Sequence, residues 1–419
     1  MSSMAQTIFS SSPSFITLSP IVPTIFSSSP IRFIRLIPNV GRMTTVSCLK
    51  NPSPCLLLPP TFDGGSSDDM VYNMYNLAQN KVLKFNNKKL IPEDDTRIVG
   101  SSHGWLSLFD ERNHDLILTN PVTGSHVKLP PSKVYISKVI LSCDAEQEEC
   151  KAMMIDSHCR LAFCCPGHSP TEWTPLGALM CPPPRSCGRF YEDFVYSRRH
   201  NLFFCATQTT YGDDFEAWDV ASDPPRLRWE NRADLMCQYD RWLTRADEFL
   251  MAEMGVFCNH YMYLVFAEQT DQLFFVSRHI VVQMGPDGSA LEDVDNDIYP
   301  YKTVWFAVHK LDWEFGGDGG RLSYLDGGGS LDGLTMFVGL NHSFAVSATE
   351  DNGLKPNSIY FTDDIACTPP SKWDVPYGGH DIGIFDYENK TISSCYYPCD
   401  LQNLKRIMPP PIWFTPTFN

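Results

Sequence analysis

The chain has 419 residues, of which 43% are hydrophobic, 12% aromatic and 20% charged, a balance too apolar and too weakly charged for general disorder. Its formal net charge of -16 disfavours a sequence-independent grip on nucleic-acid phosphates or anionic lipid and leaves basic or neutral protein surfaces as the favoured partners. Ser and Pro interrupt every apolar run well short of the roughly 18 residues that a bilayer-spanning helix needs, so no membrane insertion is expected.

Charge divides the chain. Residues 1–62 carry +4, from Arg32, Arg35, Arg42 and Lys50, and the remainder carries -20. Within residues 1–48 there are 11 Ser and an internal repeat, TIFSSSP at 7–13 and again at 24–30, which is low-complexity sequence without a core to build. An acid-free, Ser-rich segment with sparse Arg reads as a disordered organellar transit peptide over 1–48. The basic stretch at 31–42 suits a mitochondrion, and the lack of any charge before Arg32 suits a plastid.

From residue 54 onward, short apolar or alternating runs rich in Val, Ile, Phe, Tyr and Trp are separated by Gly, Pro, Asp and Asn turns, the pattern of an all-β protein. In chain order these include WLSLFD (105–110), DLILTN (115–120), YISKVILS (135–142), KAMMID, RLAFCC, DFVYS and NLFFCAT (201–207). They continue with FEAWDV, YMYLVFAE (261–268), QLFFVSR, TVWFAVHKLD (303–312), LTMFVG, SFAVSA, SIYFTDD, IGIFDY and TISSCYY. The best helical candidates, NRADLM and TRADEFLMAEM, are short decorations. A β-propeller blade is a four-stranded unit of roughly 40 to 50 residues, so a propeller of six blades fits the spacing best, and seven can be accommodated. The tail MPPPIWFTP at 408–416 is expected to pack Trp413 and Phe414 where the first and last blades meet.

Chemistry is harder to find. The 15 cysteines are scattered and odd in number, so reduced thiols are expected, with Cys164 and Cys205 filling core space. Cys395 and Cys399 share a face only if the strand runs unbroken, and Pro398 argues against it. Asp293, Asp295 and Asp297 alternate as in a calcium loop, but Ile298 and Val304 stand where that loop needs Gly and Glu. The glycine clusters at 315–322 and 325–333 lack the Lys-Ser/Thr of a phosphate loop and read as turns. His380 and Asp381 have no local nucleophile, and the pairs Asp213–Asp214 and Asp363–Asp364, placed after strands, read as solvated turn caps. Sequons at Asn341 and Asn389 carry meaning only in a secreted protein. No catalytic residue, cofactor-binding residue or metal ligand is therefore assigned, and the ligand-binding residues stay unknown.

The motifs RIVGSSHGWLSLFD, NPVTGSHVKLPP and ISKVILS, followed by YLVFAEQTDQLFFVSR, FAVHKLDW, LTMFVGLNHSFAVSA, NSIYFTDD and GGHDIGIFDYENKTI, resemble in this order the plant F-box-associated, KIB-type β-propeller family, formerly a plant domain of unknown function. The resemblance covers residues 54–414. It implies a propeller used for protein recognition, joined in some members to an N-terminal F-box that enters a Skp-cullin ubiquitin ligase. The acid-free segment 1–53 does not match an F-box, so the resemblance is to the organelle-targeted branch, which favours a mitochondrion over a plastid or dual targeting. The resulting expectation is a non-catalytic binding module inside an organelle, with a protein partner and no cofactor. The alternatives are a nuclear or cytosolic relative of ubiquitin-ligase adapters, and an enzyme built from propeller loops.

Overall fold

The computed structural model describes residues 53–62, 69–88, 96–168, 172–177, 190–209, 212–231, 258–282, 301–313, 321–325, 330–349, 352–364, 381–395 and 410–417. The chain divides into two units, Met1–Cys48 and Leu49–Asn419, and every described strand lies in the second. The transit segment expected over 1–48 lies outside the described residues, as do the helical candidates apart from Asn231, which ends a strand.

The described elements are almost entirely β. Strands β1 (Cys55–Phe62), β2 (Asp69–Asn76) and β3 (Lys81–Lys88) form an antiparallel meander. A second comprises β4 (Thr96–Ser102), β5 (Trp105–Asp110), β6 (Leu116–Thr119) and β7 (His126–Leu129). A third comprises β8 (Ile136–Leu141), β9 (Ala152–Asp156), β10 (Leu161–Cys164) and β11 (Thr174–Leu176). The fourth is β12 (Phe190–Ser197), β13 (Leu202–Thr209), β14 (Gly212–Asp219) and β15 (Arg226–Asn231).

Next come β16 (Cys258–Ala267), β17 (Gln272–Val282), β18 (Tyr301–Asp312) and β19 (Arg321–Tyr324). They are followed by β20 (Leu334–Val338), β21 (Phe344–Ser347), β22 (Ser358–Phe361), β23 (Gly383–Asp386) and β24 (Thr391–Ser394). These nine are continuous in one sheet, but β16 and β21 are joined by the single parallel pair Phe266 and Phe344. Divided there, the described strands fall into six groups. The last strand, β25 (Ile412–Phe414), returns to pair with β1, setting Phe414 opposite Cys55 and Trp413 opposite Leu56.

The inner strands of these sheets are buried on both faces, which explains the apolar runs, while outer strands such as β7 and β24 are partly exposed. Every residue of β9 and β20 is buried, as are Trp105 to Phe109 of β5. The cores lie between successive groups. Val99, Phe109 and Val139 join the second and third, and Ile140, Phe194 and Phe203 the third and fourth. Phe204, Phe215 and Phe275 join the fourth to β16–β18, and Val276, Phe306 and Phe361 join β16–β18 to β20–β24. Leu57, Met74 and Leu106 bind the first group to the second, while Leu56, Phe337 and Trp413 bind the last group to the first. The order of contacts therefore closes on itself, as a propeller requires. Closure is completed by the tail: Trp413 is fully buried and meets Phe337 edge-on at 5.1 Å. The tail expected to pack does so.

Candidate functional site

The leading strands β4, β8 and β12 each sit at an edge of their sheet, and β4 packs on β8 and β12 on β16. Gly100 shows how close that approach is, since a Cβ there would lie 1.8 Å from the carbonyl oxygen of Val139. Only glycine lets the two backbones meet in this way. The connection from β20 to β21 lies against β4, β8 and β12. Asn341 forms a parallel bridge with Ser101 of β4, and the His342 amide donates to the Ser101 carbonyl at 2.7 Å. Asn341 is itself buried and donates through Nδ2 to the carbonyls of Phe337 and His342, so the Asn341 sequon is not a surface feature.

Beneath that connection lies a buried ion pair. Lys138 on β8 donates to Asp193 Oδ1 on β12 at 2.6 Å, with side chains 8% and 2% exposed. The ammonium also reaches the Gly339 carbonyl at 3.4 Å, and Asp193 Oδ2 accepts the Leu264 amide of β16 at 2.8 Å. Burial raises the Asp193 carboxyl, opposed by the charge and hydrogen bond of Lys138. Four chain segments are thus tied by one pair of charges.

His342 Nε2 lies 3.1 Å from both the amide nitrogen and the carbonyl oxygen of Tyr196, and the tautomer decides which it engages. Burial first, and the Lys138 charge second, push this imidazole down to about 4, so the ring is neutral near pH 7. Its ring lies 5.7 Å from that of His103, which is held well below its ordinary value by burial, then by His342 and Arg198. Arg198 Nη2 contacts His103 Nδ1, and Thr417 donates to the His103 carbonyl at 3.2 Å. Around this centre Arg198 and Arg199 are exposed; their main-chain amides donate to Glu268, while Arg199 and His200 pair with Asp271 at 3.3 and 2.6 Å.

A second charged node joins β16–β18 to the last group. Arg278, fully buried, donates from Nε to Thr303 Oγ1 at 2.7 Å and from Nη1 to the Thr362 carbonyl at 2.8 Å and Asp364 at 3.0 Å. Nη1 also lies 3.3 Å from the Tyr263 hydroxyl, and Nη2 reaches the carbonyl and carboxylate of Asp381 at 3.2 and 3.0 Å. Its guanidinium carbon lies 4.8 Å from the centre of the Phe361 ring. A guanidinium has five N–H groups, and those here are directed at protein atoms. Arg278 is consequently a clamp between segments and has no donor to offer an incoming anion. Burial raises the Asp364 carboxyl against the opposing Arg278 charge, and raises the Tyr263 phenol in the same direction as Asp364 does.

These positions correct the expectation for Asp363 and Asp364. In place of solvated turn caps, Asp363 is 2% exposed and the Asp364 side chain 11%, and Arg278 draws Asp364 inward. Asp381, expected to lack a catalytic partner, belongs to the same clamp, while His380 lies outside the described residues. Asp213 and Asp214 do not follow a strand: they lie inside β14, opposite Gln208 and Thr207. The calcium-like Asp293, Asp295 and Asp297, the 315–320 glycines and Cys399 lie outside the described residues. Cys164 and Cys205 fill cores as expected, and burial pushes the Cys395 thiol up to about 12. Lys138, Asp193, Arg278 and His342 were not singled out from the sequence; the available signal was a charge embedded in an apolar strand, as in YISKVILS and QLFFVSR.

A model of the KIB1-4 beta-propeller matches residues 74–386. No curated protein matches the chain. Among solved structures, the chain is similar to the β-propeller domain of Cps50 (Swd1) from Myceliophteria thermophila, with 8% identity, a TM-score of 0.38 and coverage of 83% of this chain and 91% of that one. A chain of the nidogen/laminin complex gives 10% identity, a TM-score of 0.38 and coverage of 84% and 97%, and the N-terminal domain of Nup159 gives 9%, 0.34, and 81% and 74%. At those scores the family match, with the closed order of β-sheets, carries the assignment: the chain belongs to the KIB1-4 β-propeller family.

Proposed function

We propose that this protein is a non-catalytic, six-bladed propeller that binds a protein partner inside an organelle, most readily the mitochondrion. The observation that carries the reading is the seating of the β20–β21 connection on β4, β8 and β12, with Lys138 and Asp193 paired beneath it. Where the leading strands are tied together in this way, recognition falls to the loops and turns of the rigid scaffold. The -20 carried after residue 62 favours a partner with basic or neutral patches, held by contacts that weaken with salt. Support for an organelle comes from the acid-free, Ser-rich residues 1–48.

Two measurements test it. Pull-down from organelle extract across a salt series should recover a defined protein set at low salt and lose it as salt rises, while a broad hydrolase and oxidoreductase panel finds no turnover. Turnover abolished by one loop substitution, or salt-sensitive capture of RNA instead of protein, overturns the reading. Intact-mass measurement on protein from cells should place the mature N-terminus at about residue 30 to 55. A chain still starting at Met1 removes the organellar part.

A further inference from the structure

The register of the hairpin β8–β9, continued two steps past its last ladder pair, sets two cysteines opposite each other. Its last ladder pair is Leu141 and Ala152, and the next positions, Ser142 and Lys151, are joined by the Ser142 amide to the Lys151 carbonyl at 2.9 Å and the Lys151 amide to Ser142 Oγ at 2.9 Å. One step further stand Cys143 and Cys150. Opposed residues of an antiparallel pair have Cβ atoms about 4.5 to 5.5 Å apart, close to what a disulfide spans after a small adjustment. Cys150 Sγ lies 3.5 Å from the Cys143 carbonyl oxygen, which brings its sulfur beside that residue. The loop between them is held by the Gln147 amide on Asp144 and the Cys150 amide on Gln147, each at 3.1 Å, so the two positions are set before any bond forms.

We propose that Cys143 and Cys150 form a peroxide-responsive dithiol, with Cys143 as the attacking thiol and Cys150 as the resolving one. Exposure supports the order of roles: Cys143 is partly exposed, while Cys150 is fully buried in the core between the second and third groups. Ionisation agrees with it. The hydrogen bond from Cys150 lowers the Cys143 thiol to about 7, against the upward pushes of partial burial, Glu149 and Asp144, while Cys150 is raised by that same bond and by burial. A thiolate that is accessible and next to a second thiol has the features of a redox-sensing cysteine.

The oxidant is a hydroperoxide. The Cys143 thiolate attacks the distal oxygen; the O–O bond breaks, an S–O bond forms, and hydroxide or alkoxide leaves, oxidising the sulfur by two electrons to the sulfenic acid. Cys150 then attacks that sulfur. The S–S bond forms as the S–O bond breaks, and the departing hydroxide takes the Cys150 proton as water. The loop is coupled to its surroundings, because the Trp105 indole donates to Asp144 at 3.2 Å.

The test uses the full chain treated with stoichiometric hydrogen peroxide, then alkylated and analysed by mass spectrometry. Before alkylation the oxidised protein should be about 2 Da lighter, and after it should carry two fewer alkyl groups, with the peptides containing Cys143 and Cys150 linked. In Cys150→Ser, a dimedone adduct should accumulate at Cys143; Cys143→Ser should give neither product. Without peroxide, native wild-type protein should be alkylated at Cys143 more than about ten-fold faster than at Cys205. Equal alkylation of the two, or a disulfide joining other cysteines first, overturns the proposal, and the wild-type measurements decide it even if a variant fails to fold.

Discussion

Lys138 on β8 and Asp193 on β12 are 55 residues apart in sequence and 2.6 Å apart in space, and this pair also holds the Leu264 amide of β16 and the Gly339 carbonyl. A charge left alone in such a place is expensive, whereas two apolar groups of similar size are tolerated. Lys138→Met should therefore lower stability by about 3 to 5 kcal/mol in urea unfolding. Replacing both, as Lys138→Met with Asp193→Leu, should recover part of that loss. If the double variant is less stable than the single by the full cost of a second independent change, the two residues are not acting as a pair.

His342 gives the same region a pH dependence. Its folded value of about 4 lies below the ordinary 6.5 because burial and then Lys138 oppose the charged ring. The unfolded chain thus binds more protons between those values, so stability is complete above about pH 6.5 and falls as pH drops towards 4. The loss attributable to this residue by pH 4 is on the order of 3 kcal/mol. His342→Gln, measured from pH 7 to pH 4, should flatten that part of the profile; an unchanged slope would show that the ring titrates alike in the folded and unfolded chain.

Arg278 supplies a different kind of restraint, since its planar fork satisfies Thr303, Thr362, Asp364 and Asp381 together. Arg278→Met should cost about 3 to 5 kcal/mol by leaving buried carboxylates without their cation. Arg278→Lys should fail to restore it, because one ammonium cannot reproduce the fork. Thermal unfolding distinguishes the cases: a lysine variant with the wild-type melting temperature would mean that charge alone is needed.

Much of this architecture is legible along the chain because its strands are short, apolar and punctuated. WLSLFD at 105–110 is the whole of β5, and IWF in the tail is β25. What one sequence does not display is which distant segment a charge will meet. Asp363 and Asp364 follow β22, where a turn cap and a buried clamp require the same residue type; the partner that separates them, Arg278, stands 86 residues from Asp364. The Lys138–Asp193 pair is hidden for the same reason. At the start of β14, two adjacent carboxylates imitate a turn although the ladder has already begun at Gly212. β1 is obscured by Pro59 and Pro60, where the register against β2 shifts between Leu58 and Thr61.

Closure of the ring depends on the tail. Trp413 is buried between Leu56 and Leu58 of the first group and Phe337 and Tyr360 of the last. Trp413→Ala should cost about 3 to 5 kcal/mol. Truncation after Met408 removes β25 altogether, exposes the edge of β1, and should lower the melting temperature by several degrees while promoting aggregation. A truncated chain with unchanged melting temperature and solubility that loses one binding partner would make the tail a docking peptide instead.

Proximity labelling in intact cells tests the proposed role most directly, using the full chain with the labelling enzyme attached through a flexible linker after Asn419 and the same enzyme targeted alone as the control. A small, reproducible set of organellar proteins should be enriched over that control, and the same proteins should be recovered by pull-down at low salt and released at high salt. Enrichment of Skp and cullin components in the cytosol or nucleus, or no enrichment over the free enzyme, would contradict an organellar binding module.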